Sequence, residues 1–177
     1  ERDTSTVFLH TGPHHDDIML GIFPCIIPQL REKTNEFHFA VLTSGFTAVT
    51  NKLLRRLLIE TLNLISQGKI QMLKYPDFFE SGYRYKYDKD VSHYLDKIAD
   101  KDESGKLRGL CHRITRVMVE IYNLRSKDEL IARIEGIIGI IDTGYNGEKN
   151  PPDIQKLKGM LREFEEELVW AHYGVKV

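Results

Sequence analysis

Apolar and polar positions follow two different periods along this chain, and the change of period divides it. Near the start, Val7, Phe8 and Leu9, flanked by Thr6 and Thr11, run into Gly12 and Pro13, the pattern of a buried strand stopped by a turn. Asp16 and Asp17 then precede Ile18, Met19, Leu20, Ile22 and Phe23, where a helix N-terminus favours negative charge. Pro24 and Pro28 bend or interrupt that helix. Phe37, Phe39, Ala40 and Val41 form a second strand that ends at Ser44 and Gly45. Strand, loop, helix, strand folds most readily as a parallel crossover, with the first loop where doubly wound sheets bind ligands. The expected class is α/β: a Rossmann-like parallel sheet with flanking helices.

Beyond residue 50 the period becomes helical. Leu53, Leu54, Leu57, Leu58, Leu62 and Ile65 share one face, Gly68 supplies a stop, and residues 70–75 read as a third strand. Residues 91–99, 110–124 and 130–141 are helical, the last led by Ser126 and Glu129 as a capping box. Residues 144–152 read as a turn-rich loop, and an amphipathic helix runs from about Asp153 to Tyr173, closed by Gly174. Tyr83, Tyr85 and Tyr87 alternate with Arg84 and Lys86, which reads as a half-exposed edge strand. Residues 97–106 mix charges and read as a solvated loop. Val175 and Val177 flank Lys176 as a strand begins, and both ends of the sequence read as continuing into something longer.

Composition narrows the function classes. A chain of 177 residues with 41% hydrophobic and 29% charged residues fits one folded domain. Its 25 basic and 26 acidic residues give a net charge of -1, so no nucleic-acid partner and no anionic membrane surface is expected. The alternating tyrosines therefore read as sheet rather than as a stacking platform for single strands. Cys25 and Cys111 make neither a disulfide scaffold nor a four-thiolate zinc site, which points to a reducing cytoplasm. No apolar run approaches the ~20 residues that span a bilayer.

The chemistry concentrates in the loop after the first strand. A catalytic zinc needs three nitrogen or oxygen ligands, an open position for water and a separate base. His14 and Asp17 are three apart, so a tight turn can face both at one ion while Asp16 stays free as the base. The competing reading makes Asp16 and Asp17 helix caps and His14 and His15 surface turn residues. His10 and His38 fall in strands and read as core residues. His93, His112 and His172 fall on helices and read as structural.

A strand, then Pro13, His14, one residue, Asp16 and Asp17, then a helix resembles the zinc-dependent N-acetylglucosaminyl deacetylases related to the enzyme of GPI-anchor synthesis and to mycothiol and bacillithiol deacetylases. Their usual motif is His-Pro-Asp-Asp-Glu. Here His15 stands where Pro is usual and Ile18 where Glu is usual. The form without that Glu resembles the deacetylase-like domain fused to glucosamine-6-phosphate deaminase-type proteins in some bacteria. The likeness extends to Thr43, Ser44 and Gly45, and to Arg162, Glu165, Ala171, Gly174 and Val175. It implies a single deacetylase-like domain over 1–177 with a mainly helical insertion at 46–150.

The resemblance further implies Zn2+ held by His14 and Asp17, Asp16 as general base, and Arg162 and Ser44 at the substrate. The family's third ligand, a histidine, would lie beyond Val177. The implied reaction removes the N-acetyl group from an N-acetylglucosamine-type amino sugar. Arg162 beside Glu165 and Glu166 also reads as a solvated ion-pair face. The alternative function is a non-catalytic or regulatory domain of a glucosamine-6-phosphate deaminase or isomerase-type protein.

Overall fold

The computed structural model describes residues 5–85, 87–145 and 147–176. The protein is mixed α/β and mainly helical, with a small parallel sheet at one end of a helical body. Strands β1 (Val7–Gly12) and β2 (Glu36–Val41) pair in parallel, from Val7 opposite Glu36 to Gly12 opposite Val41. Two short helices connect them, α1 (Asp17–Gly21) and α2 (Phe23–Leu30), broken at Ile22 with a proline in the first turn of α2. The β-period puts Phe8, His10, Phe37 and Phe39 on one face, where their rings stack; Phe8 and Phe37 lie 5.1 Å apart. The other face leaves Val7 and Leu9 exposed.

The body comprises α3 (Asn51–Ser66), α4 (Tyr87–Ala99), α5 (Glu103–Tyr122), α6 (Lys127–Thr143) and α7 (Pro152–His172). Leu54, Leu57, Leu58 and Ile65 of α3 bury one stripe against Ile114 and Met118 of α5, Leu130, Ile134 and Ile137 of α6, and Ile154 and Leu157 of α7. Side-chain caps start three of these helices: Thr50 accepts from the Leu53 amide, Asp102 from Gly105 and Ser126 from Glu129. Glu129 returns the favour one residue early, accepting from the Arg125 amide at 2.8 Å rather than from Ser126. Helix α7 belongs to both parts. Its N-terminal half sits in the helical core, and Trp170 stacks on Phe39 at 3.8 Å in the sheet cluster with Ile18 and Ile26.

Buried charges join α4, α5 and α7. Arg116 donates to Asp90 at 2.7 Å, and Arg113 donates to Glu167 at 2.6 Å while lying between the rings of Tyr87 and Phe164. These contacts fix the rotation of α7 about its own axis.

Three sequence expectations give way here. Residues 70–75 form no third strand: Ile70 is buried against the helical core and a 3-10 turn follows over Gln71–Lys74. The segment from Tyr83 is no edge strand, because Gly82–Arg84 is a 3-10 turn and α4 begins at Tyr87; Lys86 lies outside the described residues. Its carbonyls are taken by Arg116, whose Nη1 donates to Gly82, Tyr83 and Tyr85. Residues 97–106 are mostly helix rather than loop, since α4 runs to Ala99 and α5 opens at Glu103 on its Asp102 cap. Val175 packs against the sheet cluster without forming a strand, and Val177 lies outside the described residues. Among the described residues no helix is long and apolar enough to cross a membrane.

His112 on α5 carries a buried Nε2 with no partner among the described residues, and burial holds its pKa below the usual histidine value against a hydrogen bond with the Lys69 backbone. The unfolded chain therefore takes up a proton near pH 6.5 that the folded protein does not. The contribution of a neutral buried His112 to stability should be complete above about pH 6.5 and decline as pH drops below it. Urea unfolding at pH 7.5 and 5.5 should show this decline, and His112→Gln should make it shallower.

Candidate functional site

The site is built where β1 hands over to α1. A Cβ at Gly12 would stand 3.0 Å from Ile18 Cγ1 and 3.3 Å from the His14 carbonyl, so glycine lets α1 fold back over the strand end. The turn then divides its side chains. His14 and Asp17 face outward and converge: Asp17 Oδ2 accepts the His14 amide at 2.9 Å and lies 3.3 Å from His14 Nδ1. Asp16 occupies the N-cap position of α1 but makes no capping bond, and its exposed carboxylate has no partner among the described residues.

His15 points the opposite way, into the protein. Its Nδ1 lies 2.5 Å from Glu166 Oε2 and its Nε2 lies 3.0 Å from the Ser44 carbonyl. Glu166 Oε1 also accepts from Trp170 Nε1 at 3.0 Å. The loop after β2 is bound in turn to the first loop, since the Thr43 amide and hydroxyl both donate to the Pro13 carbonyl, at 3.1 and 2.7 Å. Gly45 adopts a left-handed φ of 60°, and a Cβ there would stand 3.1 Å from His15 Cδ2. The sequence reads His15 as a surface turn residue and Glu166 as part of a solvated ion-pair face, yet both side chains are largely buried against each other. They lie 151 residues apart, and no local period connects them.

Ser44 is half-buried and supplies its carbonyl to His15, while its side chain packs where a Cβ on Gly159 of α7 would fall. Arg162 of α7 reaches the same loop, with its Nε 3.6 Å from a Cβ built at Gly45. Its Nη1 pairs with Glu165, and its Nε is buried without a partner among the described residues. No hydrogen bond joins Arg162 to His14, Asp16 or Asp17. Beside this cluster a cavity of about 590 Å³ opens between β2 and α7, lined in part by His15, Thr43, Ser44, Glu166 and Trp170. Glu167 also borders it, and burial raises its pKa against the pull of Arg113.

The two histidines expected in the core fare differently. His10 is half-buried, with its Nε2 lacking a partner among the described residues, and burial lowers its pKa. His38 is exposed and lies 2.9 Å from Glu36, because its position in β2 faces the uncovered side of the sheet.

His14 and Asp17 suit a borderline cation such as zinc. Bond lengths near 2.0–2.1 Å at tetrahedral angles separate two donors by about 3.3 Å, the separation found here. Both side chains are open to solvent, at 62% and 42% exposure, as an accessible site requires. Among the described residues no group of three His, Cys, Asp or Glu side chains gathers to hold a metal. No family model matches the chain, and no curated protein or solved structure matches it significantly.

Gly45 gives the first test of this geometry. Gly45→Ala should lower stability by about 1–2 kcal/mol, the cost of a left-handed alanine, and should press on the His15 ring. Denaturant unfolding with a shift of that size checks it.

Proposed function

We propose that this chain is the zinc-binding part of an N-deacetylase acting on an N-acetylglucosamine-type amino sugar, on a Rossmann-like α/β scaffold. The observation that carries the reading is the convergence of His14 and Asp17 at the end of β1 with Asp16 exposed and unengaged beside them. The resemblance to the zinc-dependent deacetylases supplies the reaction, and the donor separation supports the metal. In this reading a third protein ligand comes from beyond Val177, the insertion occupies 46–150, and the enzyme works in the cytoplasm, where a fused glucosamine-6-phosphate deaminase-like domain would process its product.

Each residue then has a task. His14 and Asp17 would hold the ion, and zinc bound there would supply polarisation of the acetyl carbonyl and acidification of water. Asp16 accepts the proton from the attacking water and returns it to the leaving amine, which departs as the free amino sugar alongside acetate. Arg162 and Ser44, together in the loop cluster on the α7 side, orient the sugar. A second reading, a non-catalytic or regulatory domain, draws on the meeting of only two donors among the described residues.

Two measurements separate these readings. In a chain that supplies the third ligand, Asp16→Asn should keep its zinc while deacetylation of N-acetylglucosamine derivatives falls about 10²-fold or more. His14→Ala should lose metal and activity together, and equal zinc content in the two variants would reverse the roles. A regulatory domain would instead show no turnover before any substitution. Residues 1–177 alone should bind zinc weakly in calorimetry. Nanomolar affinity that disappears on replacing His93, His112 or His172 would put the third ligand inside the chain.

A further inference from the structure

We infer that His15 is a positioning residue, a buried latch that fastens the His14–Asp17 turn to α7 and to the loop after β2 and thereby fixes how the two donors are presented. The inference rests on the metal reading for its consequence but on the hydrogen bonds of this chain for its existence. Three separate segments meet on one imidazole. Nε2 faces the Ser44 carbonyl, which can only accept, so this nitrogen carries a hydrogen and donates. Nδ1 faces Glu166 of α7 at 2.5 Å, and the ring edge lies against Gly45, where any side chain would crowd it.

Burial gives these contacts their force. The side chains of His15 and Glu166 are 7% and 14% exposed, so water does not compete freely for the hydrogen bonds. Glu166 is itself held by Trp170, which stacks on Phe39 of β2. The chain of contacts runs from the turn through His15 and Glu166 to an indole clamped on the sheet. His15 sits between His14 and Asp16, so fixing its ring inward turns His14 and the Asp16–Asp17 pair outward. With both ring nitrogens engaged, His15 offers no lone pair to a metal, which separates it in role from His14.

The latch also sets the register between two parts of the proposed site. Arg162 lies four residues before Glu166 on α7, on the same helix face. Tying Glu166 to His15 therefore holds the Arg162 guanidinium at a fixed place relative to the donor pair. The direct bonds from Thr43 to the Pro13 carbonyl do not involve His15 and keep the two loops together without it.

Amide hydrogen exchange followed by NMR on the 177-residue chain tests the latch without metal. The wild-type protein should show a slowly exchanging Nε2 proton on His15. His15→Ala should speed exchange at the Leu20 amide, which bonds to the Asp16 carbonyl, by about tenfold or more, and leave the Thr43 amide protected. Glu166→Ala should do the same, and the double variant should go no further than either single one. His15→Asn, whose amide nitrogen stands near the place of Nδ1, should recover part of the protection. Unchanged exchange in both single variants, or fully additive effects, would overturn the proposal.

Zinc titration of the His14 and Asp17 resonances supplies the second arm. The apparent Kd should weaken about 10-fold to 100-fold in His15→Ala and Glu166→Ala, the range for residues that support a metal ligand from behind. Equal Kd values in wild type and variants would overturn the positioning role. A wild-type chain that takes up no zinc would overturn the metal reading, and the exchange comparison decides the latch independently of it.

Discussion

Two parallel strands bury too little surface to stand alone, because parallel sheets ordinarily rely on helices over their faces. This protein meets that constraint on one face, with the short helices α1 and α2 and the long helix α7. Trp170 of α7 stacks on Phe39 at the end of the sheet's aromatic row, and His15 and Glu166 tie the strand-end loop to the same helix. The sheet and its loop are therefore positioned by α7, and α7 is positioned by the helical body. Ile154 and Leu157 seat its first half in the core, and Arg113 grips Glu167 next to the residue that grips His15.

That arrangement explains why buried charges recur along the path to the site. Arg113 and Arg116 are almost fully enclosed, and removing one partner of such a pair costs about 3–5 kcal/mol because the other charge stays buried. Isolated charges there would be ruinous, yet in this network every guanidinium has a carboxylate, a carbonyl or an aromatic face. Planar groups with several fixed donors leave little freedom in how α4, α5 and α7 dock. The consequence at the far end of α7 is a defined direction for Glu166.

The parts of this structure that could be read from sequence are those whose causes are local. Helices α3, α5, α6 and α7 announce themselves through their period, and α6 also through its capping box, although α5 opens at Glu103 rather than near residue 110; the turn that brings His14 and Asp17 together follows from their spacing. Residues 70–75 and 83–87 misled for a shared reason: short apolar or aromatic runs look alike whether a strand or a buried turn absorbs them. What decided them was distant. Arg116, some thirty residues along the chain, claims the carbonyls a neighbouring strand would have used. His15 was misread as a surface turn residue for the same reason, since its partner Glu166 sits in a helical pattern that marks it only as one more acidic position.

The sheet's asymmetry carries the argument back to the site. Phe8, His10, Phe37 and Phe39 share one face under α2 and α7, whereas Val7 and Leu9 on the opposite face meet solvent. Order in the first loop therefore comes from one side. Within that loop the inward residue lies between the two outward donors, so all three respond to a single rotation of the turn. A turn held through His15 cannot carry the His14 backbone away from that of Asp17 without also breaking contacts to α7 and Ser44. The exposed donors keep their own side-chain freedom, but the backbone that carries them inherits the rigidity of the buried histidine beside it.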